Sequence, residues 1–277
     1  MKIRRTVGLL IAIKVGFMVL CVGLFSMRCL IGVGQNWLLE TTSTQDIMIE
    51  LQMKKYSSAV LDSFNADGKT GLMIAVGRAD LDVVKAFVNA GADINVHAAD
   101  RVGDTALHIA CYSGNYKNVI DIIEFLVNVK SPISGNFVAD VSARNKRGET
   151  PLLETIQISN IADRKKVMEW LVSRGANINE QDNNGNTSLH MAVNNNDIFG
   201  VKMLLMTFGD SINFNITNHN DKDVKRMTAL EYAWYLGFRD VATCIEKGIK
   251  LIEDLKSNKG RFPKSRIEKL KGEFISY

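Results

Sequence analysis

Proline is scarce, with Pro132, Pro151 and Pro263 the only three in 277 residues, and this excludes a collagen-like or proline-rich linker chain. Cysteine is nearly as rare: Cys21, Cys29, Cys111 and Cys244 include no Cys-x-x-Cys pair. A disulfide scaffold and a cysteine-built zinc site are both excluded. The four histidines, His97, His108, His190 and His219, stand at no metal-ligand spacing. There is no Gly-x-x-x-x-Gly-Lys-Ser/Thr phosphate loop, no His-Glu-x-x-His and no Gly-x-Ser-x-Gly elbow. We therefore expect no enzyme, no cofactor and no metal.

Positive charge is also missing from the middle of the chain. The first 28 residues carry Lys2, Arg4, Arg5, Lys14 and Arg28 with no acid, and residues 250–277 hold eight basic against four acidic side chains. A net charge of +4 overall thus leaves the body between them acidic. Nucleic-acid binding needs a clustered basic face, so no nucleic-acid partner is expected. Hydrophobic content of 46% against 23% charged residues predicts an ordinary folded core.

One long apolar run is present, from Val7 to Met27, interrupted only by Lys14. About 20 apolar residues suffice to cross a bilayer as a helix. Residues 1–34 therefore read as a signal anchor or a signal peptide, with a merely buried helix as the third alternative. Cys21-Val22-Gly23 and Gly32-Val33-Gly34 are poor substitutes for a small-x-small cleavage site. The basic excess precedes the run, which predicts a single pass through residues 7–27 with a cytoplasmic N-terminus if the segment is kept.

The body repeats itself. Thr105-Ala106-Leu107-His108-Ile109-Ala110 opens a unit that recurs from Thr70, Thr150, Thr187 and Thr228, at intervals of 35, 45, 37 and 41 residues. Gly91-Ala92-Asp93-Ile94-Asn95 and Gly175-Ala176-Asn177-Ile178-Asn179 close two of the units. Each opening Thr can cap a helix, and the Leu and Ala two and five residues on can pack against a neighbour. One unit alone cannot bury its apolar face, so stacking must supply the core. The Thr-Pro-Leu-His-x-Ala start and Gly-Ala-Asp-x-Asn ending resemble ankyrin repeats, whose period is about 33 residues. The resemblance implies an all-α solenoid of about five helix-turn-helix repeats with short hairpin loops, preceded by the apolar N-terminal helix.

The organisation follows. Residues 35–64 are a polar linker and an N-terminal capping helix, 65–249 the ankyrin-repeat domain, and 250–277 a basic C-terminal tail, partly a closing helix and otherwise solvated. Repeat two is followed by an insertion within 129–144, expected as a surface loop. Repeat three carries the polar pair Glu154 and Thr155 in its inner helix, and repeat five replaces the Gly-bearing turn with Asp221–Arg226. The aromatics Tyr232, Trp234, Tyr235 and Phe238 are expected to seal the C-terminal end. Cys111 and Cys244 lie three repeats apart, so they are read as buried small hydrophobes and not as a disulfide.

In ankyrin proteins, partners meet the hairpin tips and the concave face of the inner helices. Carried onto this sequence, the resemblance implies tip residues Arg101, Val102, Asp104, Lys146, Arg147 and Asn184, and inner-helix residues Tyr112, Gln157, Asn194 and Tyr235. The same resemblance makes His108 and His190 structural, hydrogen-bonded to neighbouring backbone. The expected function is a non-catalytic, monomeric module that binds another protein. Its shape, repeats with little other domain and an export-like start, resembles ankyrin proteins of bacteria, including bacteria that live inside eukaryotic cells. That leaves two roles open: a host-directed effector, or an envelope scaffold protecting an enzyme partner.

Overall fold

The computed structural model describes Thr44, Leu51 and residues 56–114, 118–131, 136, 138–219, 226–258 and 263–276. The expected apolar helix, its membrane pass and most of the linker lie outside the described residues. Among the described residues no helix is long and apolar enough to cross a membrane.

Short helix α1 (Ser58–Leu61) precedes five helix pairs: α2 (Gly71–Gly77) with α3 (Leu81–Ala90), α4 (Ala106–Tyr112) with α5 (Val119–Asn128), α6 (Pro151–Glu154) with α7 (Ile161–Ser173), α8 (Ser188–Asn194) with α9 (Ile198–Phe208), and α10 (Ala229–Tyr235) with α11 (Arg239–Ser257). Helix α12 (Lys264–Ser276) follows, and a two-stranded antiparallel hairpin of β1 (Thr217–His219) and β2 (Arg226–Thr228) precedes α10. Each inner helix packs on the inner helix of the next pair, and each outer helix on the next outer helix. This is the nearest-neighbour stack that the repeat pattern predicts.

The opening threonines work as caps. The hydroxyls of Thr70, Thr105 and Thr228 accept hydrogen bonds from the backbone N–H groups of Met73, His108 and Glu231, satisfying donors that the first helical turn leaves unpaired. Behind them, Leu72, Leu107, Leu152 and Leu189 enter one core that runs from Leu51 to Phe274. Cys111 and Cys244 are free and buried in it.

Hairpin tips are stitched to one another. In the first four tips an Asn or Asp stands five residues before the opening Thr, at Asn65, Asp100, Asn145 and Asp182. Its Oδ1 accepts two backbone N–H groups and closes the turn, as Asn145 does for Arg147 and Glu149. The N–H of Lys146 then donates to the carbonyl of Val102, that of Asn183 to Arg147, and that of His219 to Asn184. So close an approach requires glycine. At Gly148, with φ +74°, a Cβ would lie 2.8 Å from the Asn183 nitrogen.

Three parts of the chain differ from the sequence reading. In repeat three the inner helix stops after four residues and continues as a 3-10 turn, Thr155–Gln157. The Thr155 hydroxyl donates to the Leu152 carbonyl at 2.6 Å, a local bond that competes with helical pairing. Within residues 250–277 the closing helix is α11, which runs unbroken to Ser257 because Ile245, Ile249 and Ile252 continue its apolar stripe. Beyond it α12 folds back, burying Phe274 beside Gly248 and accepting the Lys202 ammonium at the Ile275 carbonyl, 3.1 Å away. Lastly, Trp234 and Tyr235 are 46% and 53% exposed and Tyr232 turns back to Asn194 of repeat four, which leaves Phe238 as the one of the four aromatics packed on the core away from the groove.

The insertion of repeat two is anchored at its base. Val138 N–H donates to the Val129 carbonyl, while Asn95 of repeat one holds the Val138 carbonyl with its amide nitrogen and the Asp140 N–H with its amide oxygen.

Candidate functional site

Five side-chain positions share one register. Gly77, Tyr112, Gln157, Asn194 and Tyr235 each stand seven residues after an opening Thr, at the last position of an inner helix or its 3-10 extension, and all five are exposed. The packing reason is simple. In the middle repeats, the helix positions one, two and five residues after each Thr are consumed by neighbours, and the helix end is left at the open edge of the stack.

Three of the residues expected to bind, Gln157, Asn184 and Asn194, line a groove of about 430 Å³ across repeats three to five. Ile156, Met191 and Tyr232 supply its apolar surface, and Asn186, Asn195 and Asn218 further amides. Tyr232 donates its hydroxyl to Asn194 Oδ1 at 3.0 Å. Tyr112 and Tyr235 are exposed on the same row but do not line this groove.

The tip residues divide. Arg101 is exposed and makes no polar contact among the described residues. Val102 and Lys146 are joined by a backbone hydrogen bond, and the Lys146 ammonium also donates to the Asp100 carbonyl. Asp104 accepts from the Asn145 amide at 2.9 Å. Arg147 is spent on carboxylates: its Nε lies 2.6 Å from Glu149 and its Nη2 3.2 Å from Glu154. Val102, Asp104 and Lys146 thus hold one tip to the next, and the Arg147 side chain ties its own tip to the inner helix of repeat three.

Glu154 is the residue whose importance the sequence understated. It occupies the fourth place after its Thr, where Ile74, Ile109, Met191 and Tyr232 stand in the other repeats, yet it is only 5% exposed. Burial first, and then the nearby carboxylates of Glu149 and Asp104, push its pKa up to about 8, with Arg147 pulling the other way. Counting places from each Thr would have found Met191 and Tyr232. Asn218 and His219 had no such signal, since the last hairpin is longer than the others.

The histidines of the repeat starts are structural. Thr105 donates its N–H to His108 Nδ1, which puts the ring proton on Nε2, 3.0 Å from the Glu149 carbonyl. His190 makes the same arrangement with Thr187 and the Met227 carbonyl. Among the described residues no group of three His, Cys, Asp or Glu could hold a metal ion.

Comparison with known proteins agrees with this architecture. The family model for ankyrin repeats matches three times, over residues 43–134, 117–218 and 160–252. The chain belongs to the ankyrin-repeat family, and its repeat domain is a protein-interaction module. An ankyrin repeat protein of Acanthamoeba polyphaga mimivirus is 28% identical over 159 residues, 57% of this chain and 18% of that protein. Rabankyrin-5 of Mus musculus is 29% identical over 172 residues, 62% of this chain and 13% of its own length. The matched region therefore spans less than a fifth of either relative. Among solved structures, the ankyrin repeat domain of Bcl-3 superposes with a TM-score of 0.57 at 26% identity, covering 73% of this chain and 78% of that one.

Proposed function

We propose that the chain is a non-catalytic, monomeric module that holds another protein against the concave edge formed by the inner-helix ends and the free tip at Arg101. The observation that carries this reading is the exposed row Tyr112, Gln157, Asn194 and Tyr235. Aromatic side chains left in water beside a groove are the kind of group that dominates interface energies. The acidic body supports a protein partner and not a nucleic acid.

The location belongs to the same proposal. Residues 7–27 anchor the chain in a membrane or carry it to export, with the first residues cytoplasmic and the repeats across the membrane. A host-directed effector fits an exported chain, and an envelope scaffold fits a retained one. Carbonate-resistant membrane fractionation of the producing cell separates the two: retention favours the scaffold, and recovery of the chain in a host-cell fraction favours the effector.

The binding face itself is tested by placing a photoreactive phenylalanine analogue at Tyr112 or Tyr235, and at Glu253 on the outer helix α11 as the control. Crosslinks from the two inner-helix positions and not from Glu253 are expected. Equal crosslinking from all three would show that the concave edge is not the binding face.

A further inference from the structure

The groove across repeats three to five has walls made of amides and almost no charge to offer. Asp182 is its single carboxylate, and both oxygens are occupied: Oδ1 accepts the N–H groups of Asn184 and Asn186 at 2.9 and 2.7 Å, and Oδ2 accepts the Asn186 amide at 3.1 Å. The Asn218 amide is also committed, to Asn186 Oδ1 at 3.2 Å and to the Met227 N–H at 3.3 Å. Three amides remain to meet a ligand. The exposed side chains of Asn184 and Asn195 make no hydrogen bond among the described residues, and Asn194, whose oxygen takes the Tyr232 hydroxyl, keeps its Nδ2 donors.

We propose that this groove takes an extended, uncharged stretch of a partner's main chain, hydrogen-bonded through its peptide groups to Asn184, Asn194 and Asn195. The inference rests on the concave-edge reading above and names the chemistry of what binds there. An Asn side chain offers one acceptor and two donors, matching the C=O and N–H of a peptide unit. A charged side chain would lose its hydration there with no counter-charge to replace it. The half-buried faces of Met191 and Tyr232 give one uncharged side chain of the partner a place to lie. Asn184 lies in the tip before the seven-residue helix α8 and Asn194 closes that helix, whose length of about 10 Å is what about three extended residues span.

The test is selection of a displayed random dodecapeptide library against the full-length chain. Enriched peptides should share a window of about three uncharged residues. Their affinity should change less than about twofold between about 50 and about 500 mM NaCl, since no ion pair is screened. N-methylation of the peptide nitrogens in that window should weaken binding about tenfold, as should the double change Asn184→Ala and Asn195→Ala, each removing one or two net hydrogen bonds. The urea midpoint of the double variant shows whether it still folds. Steep salt dependence, a requirement for a charged residue in the window, or indifference to N-methylation overturns the proposal. Binding lost in Tyr112→Ala but kept in the double Asn variant also overturns it, while leaving the concave-edge reading intact. An empty selection overturns it too, and the concave-edge reading then stands or falls on the crosslinking result.

Discussion

His108 Nε2 lies 3.0 Å from the carbonyl oxygen of Glu149, 41 residues further on and one repeat along the stack. His190 reaches the Met227 carbonyl in the same way at 3.1 Å. These bonds tie repeat two to three and repeat four to five. The other two junctions have different ties: Asn95 joins repeat one to the start of the loop closing repeat two, and Asn179 joins repeat three to Ser211 and Asn213. Repeat three carries Leu153 in the histidine place, and there the Thr150 hydroxyl is buried with no partner.

His108→Leu should therefore destabilise the domain by about 1–3 kcal/mol, the cost of leaving a buried polar group unsatisfied. The buried Thr105 N–H loses its acceptor, the Thr105 hydroxyl keeps only the N–H of residue 108, and the Glu149 carbonyl keeps only that of Asn145. Urea unfolding followed by circular dichroism reads the change. An unshifted midpoint would show that water takes over the histidine's role.

Stability should depend on pH in two opposed ways. Burial lowers the pKa of His108 and His190, so the unfolded chain binds more protons near and below pH 6.5, and stability is lost as pH falls through that range. Burial raises the pKa of Glu154 from 4.5 to about 8, so the folded chain keeps a proton that the unfolded chain releases. That contribution is fully present below about pH 4.5 and is lost as pH rises toward 8. Glu154→Gln should flatten the decline between about pH 4.5 and 8 and leave stability below about pH 4.5 unchanged. Parallel urea midpoints for both proteins across that range would contradict the assignment.

Gly148→Ala and Gly237→Ala separate backbone conformation from close approach. Both glycines have positive φ, +74° and +76°, but a Cβ meets Asn183 at the first and nothing within 4 Å at the second. The left-handed conformation alone costs a side chain about 1–2 kcal/mol. Gly237→Ala should lose that much, and Gly148→Ala clearly more, with protection of the Asn183 amide against hydrogen exchange lost as well.

Leu107→Ala should cost about 2–5 kcal/mol, because Leu107 is 1% exposed in the middle of the core. Asn184→Ala, at an exposed tip, should stay within about 0.5 kcal/mol. Equal shifts in urea midpoint would mean that the register of the repeats is misassigned.

The repeat architecture was legible because its determinants are local and periodic. Thr70, Thr105, Thr150, Thr187 and Thr228 mark five helix starts, and the Leu two places on is buried in the first four repeats. The register also identified the exposed row at Tyr112, Gln157, Asn194 and Tyr235, because a fixed count along a helix is a fixed direction in space. What those residues face depends on contacts between repeats, which no local pattern encodes. Arg147 could be recognised as a tip residue, but only the approach of Glu154 from the inner helix gives its guanidinium a second carboxyl partner beside Glu149. Asn194 lines the groove, and Tyr112 does not, because Asn218 arrives from a hairpin whose length breaks the period and Tyr232 from the inner helix that follows it. The return of α12 onto α9 was equally hidden. Phe274 is a single aromatic in a basic helix, and its slot exists only where Leu205 and Gly248, 43 residues apart in the chain, come together in space.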